Sequence, residues 1–316
     1  MPEQLRPIDL AQPLATPVAF FVFNRPEYTR RVWTAICKAK PAILLIVADG
    51  PRCDRPDDNS HCNEVRRIVT GEIDWPCDRR LLFAETNLGC RARVASGLRW
   101  VFNEAEEAII IEDDCLPDPT FFPFCQELLV RYRTDERIGM IAGTNYRPLS
   151  AETSHASYFA SRHFSIWGWA TWRRTFAGYN ELMPAWRTIS HPQDLSPLVP
   201  LRTMRRLLIT MFDLAREGGI DSWDIAWGHH LLNLRALSLV PAQNLVTNIG
   251  IEGTRGRSGD SNQLRPIAPL PFPLRHPKSF CPDPGYERLV TARHRIIRDW
   301  LRALWTLRLK RCLRLG

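Results

Sequence analysis

The chain has no long apolar segment. Its longest apolar runs, near residues 17–23 and 42–48, have strand length. They fall far short of the roughly 20 residues that cross a bilayer as a helix. Residues 1–17 are polar and rich in proline, without an apolar core of signal-peptide length. We therefore expect a cytoplasmic protein.

Cysteine pairs with the spacing of metal sites are also missing. The nine cysteines are odd in number, include no Cys-x-x-Cys pair, and are scattered through predicted strands and helices. This distribution favours free thiols over a disulfide framework or a zinc site.

Excess positive charge is confined to one end of the chain. Residues 286–316 contain nine Lys or Arg and two acids, which accounts for +7 of the formal net charge of +8. No basic stripe crosses the rest of the chain, so we expect no nucleic-acid partner. Apolar residues recur at helical spacing in 286–316, among them Trp300 and Trp305, and predict a basic amphipathic helix. Such a helix is typical of proteins that lie on an anionic membrane surface, here the inner face of the cell membrane. The alternative is a helix docked on the body with its basic face in water.

What the sequence does contain is a regular alternation of strands and helices. Apolar runs separated by helical patterns predict strands at 17–23, 43–47, 81–84 and 108–111. Because these strands are apolar on both faces, they indicate an α/β fold with a mixed, mostly parallel sheet and helices on both faces. Helices are also expected from Asn87 to about 103 and at 61–70, 120–133, 203–217 and 224–236, and the proline-rich residues 265–285 are predicted to form an extended surface strap.

Polar residues follow each of the four predicted strands. They are Asn24 and Arg25, Asp49, residues 85–87, and Glu112-Asp113-Asp114. The carboxyl ends of parallel strands share one edge of the sheet, which is where ligands bind in such folds. The sequence therefore predicts a binding site at this edge.

The acidic triplet is the most informative of these groups. Three adjacent carboxylates beside the core repel one another, and a divalent cation bound by their oxygens removes that cost. Mg²⁺ or Mn²⁺ held in this way would also stabilise a departing diphosphate. The alternative is a solvated acidic turn at the end of a strand.

Several motifs together resemble the bacterial family-2-like glycosyltransferases and are similar to the N-acetylglucosaminyltransferase I family, which initiates hybrid N-glycans. The resemblance spans roughly residues 17–255. It is carried by Asn87-Leu88-Gly89-Cys90, by Ile109-Ile110-Ile111-Glu112-Asp113-Asp114 with the following Cys115-Leu116-Pro117-Asp118-Pro119, by Ser165-Ile166-Trp167-Gly168-Trp169-Ala170-Thr171-Trp172, by Ser222-Trp223-Asp224, and by Asn244-Leu245-Val246-Thr247-Asn248-Ile249-Gly250.

The resemblance implies a GT-A nucleotide-diphospho-sugar transferase domain over residues 1–264. Its nucleotide-binding half would cover about 17–118 and its acceptor half about 119–264. The implied reaction is metal-dependent and inverting. It moves a hexosyl or N-acetylhexosaminyl group from a nucleotide-sugar, most simply a UDP-sugar, to a glycan or lipid-linked acceptor in cell-surface polysaccharide synthesis.

The resemblance also implies roles for individual residues. Arg25, Asp49 and Arg91 would contact the nucleotide. Glu112 and Asp113 would hold the ribose and the donor sugar. The metal ligand would be Asp114. Asp224 would be the general base, a role that Asp221 could also take.

Two further features, a pair of tryptophans and the loop after residue 250, each have two possible roles. Trp169 and Trp223 would form either an apolar acceptor platform or part of the core. Relatives often have a Thr-His element after the segment that corresponds to 248–250, whereas this chain has no His there. Either Arg255 or Arg257 would then close over the diphosphate, or metal dependence would be weak.

Two other functions remain open at this stage. A sugar-phosphate nucleotidyltransferase usually has a glycine-rich loop directly after the first strand, and residues 23–28 contain no glycine. A non-catalytic module that binds membranes or glycans would need no nucleotide site at all.

Overall fold

The structure is a computed structural model that describes residues 13–149, 156–186, 195–196, 198–199, 202–250 and 265–292. Its strands are β1 (Val18–Val22), β2 (Ile43–Ala48), β3 (Asp78–Phe83), β4 (Glu107–Glu112), β5 (Cys115–Pro117), β6 (Ile138–Ala142), β7 (Tyr158–Ser161), β8 (Trp169–Trp172), β9 (Leu237–Pro241) and β10 (Val246–Asn248). Its helices are α1 (Pro26–Ala39), α2 (Asp58–Thr70), α3 (Cys90–Glu104), α4 (Phe121–Arg131), α5 (Arg173–Phe176), α6 (Arg202–Arg216) and α7 (Asp224–Asn233), and residues 284–292 are also helical.

Eight strands form one mixed sheet in the order β3-β2-β1-β4-β8-β6-β9-β7. The four strands from β3 to β4 are parallel to one another. Beyond β4, β8 runs antiparallel to both neighbours, β9 is parallel to β6, and β7 closes the far edge antiparallel to β9. Four of the seven pairings are therefore parallel, and the predicted mixed, mostly parallel α/β fold is confirmed.

Helices cover both faces of this sheet. On one face, Phe20 of β1 packs with residues of α1, α2 and α4. On the other, Phe21 packs with residues of α3, α6 and α7. Alternate residues of a strand point to opposite faces of the sheet. Because helices cover both faces of β1, every residue of this strand is buried and apolar.

The first half of the chain follows the sequence pattern closely, with two corrections at helix starts. Pro26 begins α1, where its missing N–H costs no hydrogen bond. Asn87 does not cap α3, because that helix begins at Cys90 after Gly89, whose φ is +80°. Helix α2 starts at Asp58, earlier than predicted.

A two-stranded sheet brings a distant part of the chain to the triplet. In this sheet β10 runs antiparallel to β5, with Asn248 opposite Cys115. Ile249 N–H donates to the Asp114 carbonyl oxygen at 2.7 Å. Residues 248–250 therefore lie beside the acidic triplet.

Residues 265–292 pack along the body. Residues 265–283, all of which are described, form neither helix nor strand. Within them, Leu270 N–H donates to Thr120 Oγ1 at 3.0 Å, and Leu274 is buried. In the helical residues 284–292, Tyr286 and Val290 are buried against the body, so this part docks. Of the amphipathic helix predicted for 286–316, the part from residue 293 onward lies outside the described residues. The predicted domain boundaries after residues 264 and 285 stay predictions. No helix in the described ranges is long and apolar enough to span a membrane.

Candidate functional site

The site is built on the pairing of β1 with β4. Phe21 lies opposite Glu112 in the parallel register, so the residues that follow both strands emerge side by side. Phe23 N–H donates to Asp113 Oδ2 at 3.1 Å, which fixes one carboxylate to the end of β1. Asp113 is 7% exposed.

Arg25 is the nearest counter-ion of the triplet. Its Nη1 lies 2.7 Å from Asp114 Oδ2 and 3.6 Å from Asp113 Oδ1. Burial alone would lower the pKa of Arg25, but Asp113 and Asp114 outweigh it and raise this pKa. The guanidinium side chain is 42% exposed, so it contacts both the carboxylates and solvent.

Arg25 does not compensate the whole triplet. Glu112 Oε1 is buried and has no hydrogen-bond partner among the described residues. Burial raises the pKa of Glu112 well above its ordinary value, and Asp114 and Asp113 raise it further. Burial followed by Asp114 raises the pKa of Asp113 to about 7, against the opposing effect of Arg25. The triplet therefore has the capacity to bind further positive charge or hydrogen-bond donors.

Asp224 lies within electrostatic range of Glu112 of the triplet. It begins α7, and its Oδ1 accepts a hydrogen bond from Ser222 Oγ. Burial raises the pKa of Asp224 to about 6, although the N–H groups of residues 224 and 225 oppose the shift. Asp224 also contributes to the raised pKa of Glu112, so the two carboxylates interact electrostatically. The site thus extends from the end of β4 to the first turn of α7.

Cys90 is a site residue that the sequence analysis missed. Its exposed side chain is at the start of α3. Desolvation, then Glu112 and Asp224, raise the pKa of its thiol to about 12, so it remains protonated at neutral pH. A Cβ on the preceding Gly89 would lie 3.5 Å from Asp221 Oδ2. The motif Asn87-Leu88-Gly89-Cys90 contains this cysteine, but no role was predicted for it.

Asp49 lies at the edge of the sheet where the binding site is predicted, but both of its carboxylate oxygens already accept hydrogen bonds. Its Oδ1 accepts from the N–H groups of Gly50 at 2.8 Å and Leu88 at 2.9 Å. Its Oδ2 accepts from Asn87 Nδ2 at 3.0 Å. A Cβ on Gly50 would lie 2.4 Å from the Thr86 carbonyl carbon, which requires glycine at this close approach. Asp49 therefore joins the end of β2 to the loop before α3, which shapes the edge.

A second polar network at this edge was also missed. Asn24 Nδ2 donates to Asp58 Oδ1 at 2.7 Å, and Arg52 Nε donates to Asp58 Oδ2 at 2.6 Å. The Arg52 guanidinium lies 5.3 Å from the centroid of the Phe23 ring, within cation–π range. Hydrogen bonds from Arg52 lower the pKa of Asp58. The sequence places Arg52 in a polar loop with nothing to set it apart from Arg55.

The remaining predicted residues lie in different surroundings. Arg91 Nε is 3.6 Å from Asp221 Oδ1, and its Nη1 donates to the Ala215 carbonyl, so Arg91 joins α3 to the last turn of α6 and to the segment that follows it. Asp221 itself is mostly exposed, whereas Asp224 is turned inward.

The two tryptophans proposed as a platform belong to the core. Trp169 is 0% exposed and Trp223 is 2% exposed. Their rings stack with centroids 5.7 Å apart. Neither ring is exposed to solvent, where a sugar could stack on it. Of the two predicted alternatives, acceptor platform or core, both tryptophans are in the core. Arg255 and Arg257 lie outside the described residues.

The carboxylate oxygens of the triplet could supply some of the ligands of a divalent cation, with substrate phosphates supplying others. Among the described residues, no group of three or more His, Cys, Asp and Glu side chains has the arrangement of a complete metal site. Within the described ranges, Asp114 Oδ1 has the Cys115 thiol, at 3.5 Å, as its one hydrogen-bond partner. One open carboxylate oxygen suits Mg²⁺ or Mn²⁺, which is usually bound by one or two carboxylates together with substrate phosphates.

Gly250 packs against the other carboxylate oxygen of Asp114, Oδ2. A Cβ at this position would lie 2.5 Å from Asp114 Oδ2 and 2.9 Å from Asp114 Cβ. Only a residue without a side chain leaves room for the carboxylate as it stands. This glycine ends the motif that begins at Asn244, and no role was predicted for it.

No protein-family model matches this chain, and no curated protein matches it. Among solved structures, the mannosyltransferase PcManGT from Pyrobaculum calidifontis, in complex with GDP-Man and Mn²⁺, is 15% identical with a TM-score of 0.39, and the match covers 74% of each chain. A UDP-glucose pyrophosphorylase complexed with UDP-glucose is 9% identical with a TM-score of 0.38, over 76% of this chain and 96% of that one. Neither supports the narrower resemblance to the N-acetylglucosaminyltransferase I family. Likenesses at this level assign no activity.

Proposed function

We propose that the chain is a metal-dependent GT-A glycosyltransferase. It would move a hexosyl or N-acetylhexosaminyl group, with inversion, from a UDP-sugar or another nucleotide-sugar to a glycan or lipid-linked acceptor in cell-surface polysaccharide synthesis. The observation that supports this most is the meeting of two carboxylate groups with different surroundings. Asp113 and Asp114 lie against Arg25, whereas Asp224, which helps to raise the pKa of Glu112 in the same triplet, has no cation beside it among its described contacts.

The donor end of the site has to hold a diphosphate. Arg25 is the natural contact, because its partly exposed guanidinium can exchange carboxylate oxygens for phosphate oxygens. A divalent cation bound there would stabilise the charge that develops on the departing nucleoside diphosphate. Asp114 Oδ1 would be its protein ligand. Glu112 and Asp113 remain the candidates for hydrogen bonds to the donor sugar and ribose.

The acceptor end has to remove a proton. As the acceptor hydroxyl attacks the anomeric carbon, its proton passes to the Asp224 carboxylate, and the bond to the nucleoside diphosphate breaks. A pKa of about 6 suits this step, because the carboxylate is mostly ionised at neutral pH and is more basic than an exposed Asp. Ser222, which donates to Asp224 Oδ1, would hold the carboxylate in position.

Calorimetry and product analysis together test this function. Titration of UDP and GDP with and without Mn²⁺ should give binding that depends on the metal. A panel of nucleotide-sugars should then release nucleoside diphosphate and free or transferred sugar. A nucleotidyltransferase would instead form pyrophosphate from a nucleoside triphosphate and a sugar phosphate. A non-catalytic module would bind no nucleotide.

The proposed location is the inner face of the cell membrane, through the basic residues beyond 292. Because Tyr286 and Val290 dock on the body, the membrane-binding part would begin after them. Flotation with vesicles containing anionic lipid tests this, with a chain that ends at residue 292 as the control. If the full chain does not float with such vesicles at low salt, the anchor hypothesis fails.

A further inference from the structure

A cavity of about 330 Å³ lies away from the triplet, on the side of the second half of the sheet. Five separate parts of the chain line it: the connection after β7, residues 198–199, helix α6, the end of α7, and residues 282–291. A volume of this size is at the lower end of the range for small-molecule sites. Its walls are mainly apolar, with Phe164, Leu208 and Leu232 among them.

An apolar cavity of this kind favours an apolar ligand. Water gains few hydrogen bonds inside it, so alkyl groups that fill the space are stabilised by leaving water. Phe164 fixes one wall, because a Cβ on Gly228 would lie 2.1 Å from Phe164 Cε1 and only glycine allows the ring to pack there. This wall is formed by the fold rather than by a single loop.

The charged residues that line the cavity favour an anionic head group. Arg162 and Arg288 both line it, and neither forms an ion pair with a described residue. Glu287 is the one carboxylate in the lining, and its Oε1 accepts from Ser161 Oγ at 2.8 Å and from Arg162 N–H at 2.9 Å. Burial lowers the pKa of His163, which lies 3.6 Å from Glu287 Oε2, so His163 adds little positive charge at neutral pH. Two guanidinium groups against one engaged carboxylate leave positive charge in excess.

The geometry points to a binding site for a lipid phosphate, with its alkyl or prenyl chain in the cavity and its phosphate between Arg162 and Arg288. Helix α7 connects this site to the candidate base: Asp224 begins the helix and Leu232 lies eight residues later, about 12 Å along its axis. The ligand would be the lipid end of the acceptor. That last assignment rests on the proposed glycosyltransferase function, whereas the binding itself does not.

Soluble alkyl phosphates below their micelle concentrations test the site. By calorimetry, decyl phosphate should bind the wild-type chain saturably at one site. Affinity should rise by about fourfold for each methylene from hexyl to decyl phosphate, as burial of methylene groups requires. Inorganic phosphate should not bind detectably, and octyl glucoside should bind more weakly than octyl phosphate. No saturable binding of decyl phosphate, or no dependence on chain length, would overturn the proposal.

Two pairs of variants locate the binding. Leu208→Trp fills the cavity and should abolish binding, whereas Ile209→Trp on the same helix does not line it and should leave binding unchanged. Arg162→Gln combined with Arg288→Gln should weaken decyl phosphate binding by about tenfold or more while sparing octyl glucoside. Arg206→Gln is the matched surface control. Melting temperatures identify any variant that fails to fold, and equal binding by Leu208→Trp and Ile209→Trp would place the ligand elsewhere.

The same proteins separate this inference from the proposed function. Binding of UDP with Mn²⁺ should be unaffected by Leu208→Trp, because the cavity is remote from the triplet. Alkyl phosphate binding without nucleotide binding would retain the cavity site and reject the glycosyltransferase. Nucleotide binding without alkyl phosphate binding would reject the cavity site and retain the glycosyltransferase.

Discussion

The two sides of the candidate site contain the same kind of side chain in different surroundings. On the β4 side, Asp113 and Asp114 lie against Arg25, at 3.6 Å and 2.7 Å. On the α7 side, Asp224 is held by Ser222 and by backbone N–H groups, and burial raises its pKa to about 6. The neighbours of a carboxylate therefore decide its chemistry. We propose that the β4 side binds a cation and a diphosphate and that the α7 side accepts a proton.

Removing the carboxylate on the α7 side should give the largest effect. Asp224→Asn keeps the shape and the hydrogen bond to Ser222 but has no basic oxygen. We expect turnover to fall by about 10²–10⁴, as for the loss of a general base, while calorimetric binding of UDP with Mn²⁺ is retained. Asp221→Asn is the matched control and should be near wild type. Near-normal turnover of Asp224→Asn would move the base elsewhere.

Changing Asp114, on the β4 side, should affect donor binding rather than the rate of turnover alone. Asp114→Asn removes the charge that would hold the cation. We expect Mn²⁺-dependent UDP binding to be lost, and any residual binding to be insensitive to EDTA. Asp118→Asn, which changes a carboxylate that bonds to Thr120, is the control. Unchanged binding by Asp114→Asn would remove the triplet from the donor site.

Arg25 tests whether the β4 side exchanges its counter-ion. Arg25→Gln should weaken UDP binding by about tenfold or more, since a charged hydrogen-bond donor to phosphate is lost. The same variant should bind Mn²⁺ more tightly in the absence of nucleotide, because Asp113 and Asp114 lose their positive neighbour. Manganese electron paramagnetic resonance measures this directly. Arg30→Gln, on an exposed part of α1, is the control. Weaker Mn²⁺ binding by Arg25→Gln would contradict the exchange.

The pH dependence should report the α7 side. Because the pKa of Asp224 is raised to about 6, turnover at saturating donor should rise with pH through this value and then level off.

The folded state binds the Asp224 proton more tightly than the unfolded state, where the pKa is 3.8. Asp224 therefore favours folding less above pH 6 than below pH 4. A smaller expected effect follows: Asp224→Asn should melt at a higher temperature than wild type at pH 7 but not at pH 4. Equal melting differences at both pH values would contradict the raised pKa.

The sequence predicted the β4 side better than the α7 side for a physical reason. Strands such as β1 and β2 are buried on both faces, so each is an unbroken apolar run whose polar ending is easy to see. The triplet directly follows such a run. Contacts made by side chains across the sheet leave no local pattern. The interaction of Asp224 with Glu112 and the burial of Trp169 are of this kind.

Short elements and long-range packing limit the prediction further. Strands β5 and β10 have three residues each, too few for an alternating pattern, yet their pairing brings Gly250 to Asp114. The carboxamide of Asn87, expected to cap α3, bonds instead to Asp49 and to the Gly50 carbonyl. The cavity near Phe164 is lined by segments more than a hundred residues apart in the chain, so no local pattern predicts it.

The most direct test of the central claim is a crystal structure of the chain with UDP and Mn²⁺, with anomalous scattering data collected to locate the metal. Our account predicts one manganese peak about 2 Å from Asp114 Oδ1, bridged to the diphosphate, with Arg25 turned from Asp114 to a phosphate oxygen. A nucleotide bound away from the β1 and β4 ends, or a manganese peak that does not contact Asp114, would contradict it.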